Sequence, residues 1–306
     1  MGYLFLFLSV FSGAVKGFFA KKISNKTSGL KSAVLSNLIR MLFCILIGFI
    51  FVAIDGVSFL AVPSTVLWVS IFCGITTSVF IITWLLAVRT SAYTSMDAFL
   101  SMGVLIPILL SNFIYHEQIA VSQIIGLALL FLAVILMSSY TNQIKQRLTI
   151  PAVLLLIVVS SSSGITDFLQ KVFAYNSLST PASVFNFYVY IFSASTLAIV
   201  YLALCVAKKN SAQSLEIEAE KERMLDKKKI IYIAIMAIFL FCNSYFKTLS
   251  AGLLDAALLY PLSHGTAIIL SLTMSTLFFK EKIKPVCILG LIVLFVGLLF
   301  INVIIF

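Results

Sequence analysis

Ten apolar runs follow one another along the chain, each close to the roughly 20 residues a helix needs to cross a hydrocarbon layer. They predict helices at about 3–21, 32–54, 63–87, 92–114, 119–139, 150–173, 182–207, 229–252, 254–279 and 285–305. The breaks between them are short, with one exception at 208–228, where Glu216, Glu218, Glu220, Lys221, Glu222 and Arg223 crowd together. That stretch is too charged to enter a bilayer and is expected to be a solvated, partly helical loop. The fold class that follows is an all-α polytopic membrane protein with ten transmembrane helices.

Polar landmarks inside the apolar runs recur. A shift of 151 positions lays Ser9, Ser12 and Gly13 on Ser160, Ser163 and Gly164, and puts Lys16 on Asp167. A shift of 164 lays Ala87–Ile119 on Ala251–Ile283 without a gap, matching Ser111 to Ser275 and Glu117 to Glu281. Further along, the same shift matches Gly126 to Gly290. Each half, 1–140 and 149–306, is therefore expected to hold five helices. An odd number of spans per half forces the halves into opposite orientations, the inverted repeat of many transporters, with a substrate site between them near the midplane.

Composition narrows the class. The 306 residues are 61% hydrophobic and 10% charged, against about 25% charged in soluble domains. The net charge of +10 would suggest nucleic acid in a soluble protein. Here the basic residues flank apolar runs, so they report orientation instead. Of the 21 lysines and arginines, Lys16, Arg40, Lys171 and Lys247 lie within helices. All the others fall in or beside the loops joining helices 1–2, 3–4, 5–6, 7–8 and 9–10. The positive-inside bias makes those loops cytoplasmic and turns both termini outward. The first apolar run lacks a preceding basic region and is expected to be a span rather than a cleaved leader. The five cysteines all lie in apolar runs, without the spacing of a metal or disulfide framework.

Ionisable residues in mid-membrane cost about 2.5–3.5 kcal/mol on insertion scales, so they mark cavities or partners. Ser9, Ser12 and Lys16 share a face of helix 1, as do Ser160, Ser163, Asp167 and Lys171 on helix 6. Asp167 and Lys171 are spaced to pair locally. Gly13 and Gly17 form a GxxxG pair that would let another helix approach. The serines are as readily explained by bonds to their own helix, and Lys171 by snorkelling to the interface. Lys16 and Asp167 sit several turns from either helix end and are the stronger candidates for direct contact between halves, or for a substrate that separates them. Arg40, Trp84, Asp97, Asn243, Lys247, Tyr260 and His264 complete the candidate substrate-binding set, with snorkelling the competing account of Arg40 and Lys247. Glu117 and Glu281 read as repeat landmarks. No H-E-x-x-H, G-x-S-x-G or phosphate loop is present, and no catalytic, metal or cofactor residue is expected.

Three stretches resemble a known family. Asn37–Phe43 is similar to its arginine-bearing second helix. Ile106–Glu117 resembles its proline-to-glutamate ending of helix 4, and Leu270–Glu281 repeats that ending without the proline. Gly126 and Gly290 stand where its helices 5 and 10 begin. On these the chain resembles the EamA-like branch of the drug/metabolite transporter superfamily over essentially its whole length. The resemblance implies a secondary transporter working by alternating access, its site between helices 1–4 and 6–9.

The expected cargo follows from charge. Candidate cations Lys16, Arg40 and Lys247 outnumber anions Asp97 and Asp167, which favours an anionic or zwitterionic metabolite such as an amino acid or organic acid. A desolvated Asp167 or Asp97 would be the proton-coupling group. The alternative is an organic cation held by Asp97, Asp167, Trp84 and tyrosines; a membrane scaffold or sensor is the second. The expected partners are a small molecule, with proton coupling as an option, and the bilayer of the plasma membrane; nucleic acid is not expected, and homodimerisation is left open. The orientation is testable: a C-terminal reporter active only in the cytoplasm is expected to be silent, and strong activity would reverse the assignment.

Overall fold

The computed structural model describes residues 1–24, 30–58, 62–90, 100, 102–138, 150–176, 179–209, 227–279 and 285–302. Ten helices account for nearly all of them: α1 (Gly2–Ser24), α2 (Leu30–Ile54), α3 (Ser64–Thr90), α4 (Leu105–Tyr115), α5 (Val121–Ser138), α6 (Ile150–Asn176), α7 (Ala182–Lys209), α8 (Lys227–Ala251), α9 (Ala256–Phe279) and α10 (Pro285–Asn302). There is no strand among the described residues. Nine of the expected helices are present within a few residues at their described ends; the helix expected over 92–114 is interrupted by a turn at 103–104, and α4 begins at Leu105. Helix α4 was expected from 92; residues 91–99, with Asp97, lie outside the described residues, as does most of the charged 208–228 stretch. Among the described residues, five helices are long and apolar enough to cross a membrane, and four more are shorter and apolar.

Burial follows the solvent that the composition implies. Large apolar side chains point outward along the bundle, among them Trp68, Phe113 and Ile199. Serine, asparagine, glutamine, aspartate and lysine are buried inside it, as Ser9, Asn186, Gln170, Asp167 and Lys171 illustrate. This inversion suits a protein bathed in hydrocarbon, where only the interior offers polar partners.

Helix α5 lies along α10, α1 along α8, and α3 along both α6 and α7. Helix α2 packs on α7 and α8, α1 also on α9, and α4 on α6. One apolar core joins α1, α4, α5, α9 and α10 through residues such as Val10, Ile108, Leu130, Leu259 and Leu294. A second joins α2, α3, α7 and α8 through Met41, Ile81, Leu197 and Phe241. The polar centre lies between these cores.

Small residues permit the closest crossings. A Cβ on Gly126 would stand 2.6 Å from the Gly297 carbonyl oxygen, so α5 and α10 meet backbone to backbone. Gly103 and Gly164 do the same where the start of α4 meets α6: a Cβ on Gly103 would lie 2.5 Å from the Ser160 carbonyl oxygen, and one on Gly164 would overlap the Gly103 carbonyl. The expected Gly13–Gly17 pair divides. Gly13 would meet the Asn243 amide at 3.0 Å, but nothing lies within 4 Å of Gly17. The GxxxG reading of α1 is corrected accordingly: one glycine is a contact and the other is not. Gly164→Ala is expected to lower stability by about 1–3 kcal/mol through overpacking, whereas Gly17→Ala is expected to be neutral. Thermal unfolding of the two variants in the same detergent checks the contrast.

Candidate functional site

Asp167, two-thirds of the way along α6, holds the polar centre together. Its Oδ1 accepts a hydrogen bond from Lys247 Nζ of α8 at 2.6 Å, in an ion pair with side-chain exposures of 8% and 13%. Its Oδ2 lies 3.5 Å from His264 Nε2 of α9. Its backbone oxygen accepts from the Tyr260 hydroxyl at 2.7 Å. The Lys247 ammonium also stands 5.5 Å from the centre of the Tyr260 ring, within cation–π range. Helix spacing explains the convergence: Tyr260 and His264 are one turn apart on α9, so one face presents both to Asp167. Pro261 lies between them inside that helix and leaves the Ala257 carbonyl without its usual donor.

Three expectations are corrected here. Asp167 does not pair with Lys171 one turn away. Its ion-pair partner is not Lys16 of α1 either, but Lys247 of α8. Snorkelling also fails for Lys247, because a buried carboxylate offers it a nearer partner than the interface does.

Lys16 and Arg40 form a second group, on α1 and α2. Lys16 lies about 21 Å into α1 at 1.5 Å per residue. It is within electrostatic range of Arg40, Lys247 and Asp167. Both side chains remain partly exposed, although they sit in the middle of their helices. Among the described residues neither makes an ion pair, and the buried Nε of Arg40 has no hydrogen-bond partner.

A third group closes the end of the bundle that carries Gly2. Lys171 is 4% exposed. Its ammonium pairs with Glu117 Oε1 at 2.7 Å and donates to the Leu254 carbonyl at 2.8 Å. The other Glu117 oxygen accepts from the Ala256 backbone N–H at 2.7 Å. Glu117 thus caps the start of α9, where free N–H groups and the helix dipole favour a carboxylate. His116, in the left-handed region at φ 54°, ends α4 and turns the chain toward that contact. The snorkelling expected of Lys171 is therefore overturned by a buried pair. Glu117 is more than a repeat landmark, for it joins α4, α6 and α9. Glu281 lies outside the described residues.

The remaining candidates divide. Asn243 donates to the Ser9 carbonyl at 2.7 Å, and Ser9 Oγ donates to the Asn243 carbonyl at 2.9 Å. This reciprocal pair fastens α1 to α8. Trp84 packs beside the Leu156 and Val159 cluster on α6, about 12 Å along that helix from Asp167. Residues not singled out from the sequence supply a polar chain across α6, α8 and α7. Gln170 donates to Ser244, Ser244 to Asn186, and the Asn186 amide to Thr248, at 3.2, 2.6 and 3.3 Å. The signal available was Gln170 alone, an amide in an apolar run and one turn from Asp167. Ser162 bonds its own helix at the Val158 carbonyl. Among the described residues, no group of His, Cys, Asp and Glu is placed to hold a metal ion.

Residues 1–139 match the EamA-like transporter family, which lies within the drug/metabolite transporter superfamily. A solved crystal structure superposes on the chain with a TM-score of 0.75 at 15% identity, covering 98% of this chain and 95% of the other. At that identity the likeness shows the fold alone. No curated protein matches the sequence. Over residues 1–139 the chain is similar to a membrane transporter family, and its apolar helices are those of a multi-pass membrane protein.

The buried Lys171–Glu117 pair gives a direct test. Lys171→Met leaves Glu117 without its cation, and losing one member of a buried pair typically costs about 3–5 kcal/mol. A matching fall in thermal stability is expected, partly restored in the double variant Lys171→Met/Glu117→Gln. Equal stability of wild type and Lys171→Met would remove the pair from the account.

Proposed function

We propose that this membrane transporter of the drug/metabolite type moves a small anionic or zwitterionic metabolite by alternating access, as a secondary active carrier. The reading rests on one observation above the others. The helix interior holds two cations, Lys16 and Arg40, with no ion-pair partner among the described residues, while Asp167 is already engaged by Lys247 and His264. An uncompensated charge in a low-dielectric interior attracts a mobile counter-ion. An amino acid or organic acid supplies such a carboxylate. Asp167 is committed to Lys247, which leaves an organic cation a weaker claim on it.

Two inverted halves, 1–140 and 149–306, belong to this reading. The neighbour pattern supports it. Exchanging α1–α5 with α6–α10 carries the α1–α8 contact onto α6–α3, α1–α9 onto α6–α4, and α2–α8 onto α7–α3. The same exchange carries the α5–α10 and α2–α7 pairs onto themselves. Among the described residues the exchange holds for these pairs; the α9–α10 and α6–α8 contacts have no counterpart of similar extent in α4–α5 and α1–α3. The carrier is assigned to the plasma membrane with both termini extracytoplasmic, on the distribution of lysine and arginine. The substrate site is assigned to Lys16, Arg40 and Lys247, with Tyr260 and His264 beside them.

Thermal-shift screening of the purified protein against amino acids, organic acids, nucleosides and quaternary amines tests the class, because a ligand that binds only the folded state raises Tm. Stabilisation by an organic acid or amino acid is expected. Lys16→Met is expected to keep its own fold and weaken that ligand by about tenfold to a hundredfold, the worth of one charged hydrogen bond. Stabilisation by quaternary amines alone, or unchanged affinity in Lys16→Met, would refute the assignment.

A further inference from the structure

The Asp167 centre holds one more basic group than a fixed ion pair requires. Lys247 and Asp167 already balance one another at 2.6 Å, yet His264 stands 3.5 Å from the second carboxylate oxygen. The two acceptor oxygens of a single carboxylate thus face two different bases. One is an ammonium; the other is an imidazole, a side-chain type whose unperturbed charge change lies near neutral pH.

We propose that Lys247 is an exchangeable counter-ion: a substrate carboxylate takes it from Asp167, and a proton taken up by His264 replaces it. The inference rests on the anionic-substrate reading above and adds its coupling. The charges balance. Before binding, Lys247 (+1) and Asp167 (−1) cancel beside a neutral His264. The Lys247 Nζ–H contact to Asp167 breaks, and the same N–H donates to the incoming carboxylate. This brings one negative charge into the centre. One proton from water adds to the imidazole, and the resulting imidazolium faces Asp167. Counted over Lys247, Asp167, His264 and a monoanionic carboxylate, with Lys16 and Arg40 unchanged in both states, the net charge is again zero, so one proton enters with each monoanion.

The surroundings leave that role to His264. From α8, Lys247 faces Asp167, and from α9 Tyr260 and His264 do. From α3, Cys73 lies near it, with its thiol toward the Thr166 carbonyl. From α1, Lys16 acts at longer range. On α4 and α6 the groups beyond are Tyr115, Glu117 and Lys171, the last two paired with each other. Helices α5 and α10 bring no His, Lys, Arg, Asp or Glu to the centre. Tyr260 is tied to a backbone oxygen, and Cys73 carries no positive charge in either of its states. A base able to take up a proton and face the carboxylate is found in His264.

The chain has two histidines, so a His116→Gln background leaves His264 as a single reporter. Its titration midpoint is read by nitrogen NMR of histidine-labelled full-length protein in detergent micelles. Lys247→Gln is expected to raise the midpoint by at least about one pH unit, a tenfold change in proton affinity. Asp167→Asn is expected to lower it, so the two variants must move in opposite directions, and either one that folds decides. In the protein with Lys247 intact, lactate, tested as the probe, is expected to raise the midpoint if it raises Tm. An unchanged midpoint in Lys247→Gln, or a rise in Asp167→Asn, overturns the switch. A probe that raises Tm while leaving the midpoint in place refutes the coupling and leaves the carrier reading intact. A raised midpoint in Lys247→Gln, with no compound in the wider screen raising Tm, keeps the switch and refutes the carrier reading.

Discussion

A charge enclosed by hydrocarbon and protein must be answered by another charge or by several hydrogen bonds, and that requirement organises this bundle. Asp167 is answered from α8 and α9, Lys171 from α4 and from the segment that links α8 to α9. Neither answer comes from the residue's own helix, although an i,i+4 partner was available to both. A local Asp167–Lys171 pair would have left Lys247 and Glu117 without their ion-pair partners. Spreading the two charges over neighbouring helices satisfies all of them together. The helix arrangement and the polar contacts therefore require each other.

The two groups differ in what they permit. Glu117 and Lys171 are satisfied on every side, by each other, by the Leu254 carbonyl and by the Ala256 N–H. The Asp167 centre has two bases on one carboxylate, and Lys16 and Arg40 beyond it make no ion pair among the described residues. A saturated network resists change, whereas one with competing partners can rearrange at small cost. Rigid contacts therefore sit at the Gly2 end, and the adaptable ones deeper in the bundle.

Much of this was legible in the sequence. Apolar runs gave the helices, because a spanning segment must be long and apolar whatever its neighbours do. Lys16, Arg40, Asp167, Lys247 and His264 stood out because ionisable residues are rare in such runs. Partner choice was not legible. It depends on which helices adjoin, and a one-dimensional pattern favours the i,i+4 pair over a contact 80 residues away, the separation of Asp167 and Lys247. Asn243 shows the same limit: it stood in the candidate binding set, yet its amide fastens α8 to α1 through Ser9. Ser244 and Thr248 were invisible for a different reason. Hydroxyls are common in membrane helices, and only their neighbours Gln170 and Asn186 turn them into a network.

The Glu117 contacts also bear on how the chain is made. Glu117 is synthesised before its cation Lys171 and 139 residues before the backbone N–H of Ala256 that it caps. Ser9 waits 234 residues for Asn243. The first five helices thus leave the ribosome with polar groups whose partners do not yet exist, although chains tend to fold from the N-terminus as they emerge. The nascent first half must keep water, lipid headgroups or an insertion factor on those groups until α9 arrives. Assembly of the bundle is therefore a late event in biosynthesis, and residues 1–139 expressed alone would carry a carboxylate at the end of α4 with nothing of the second half to receive it.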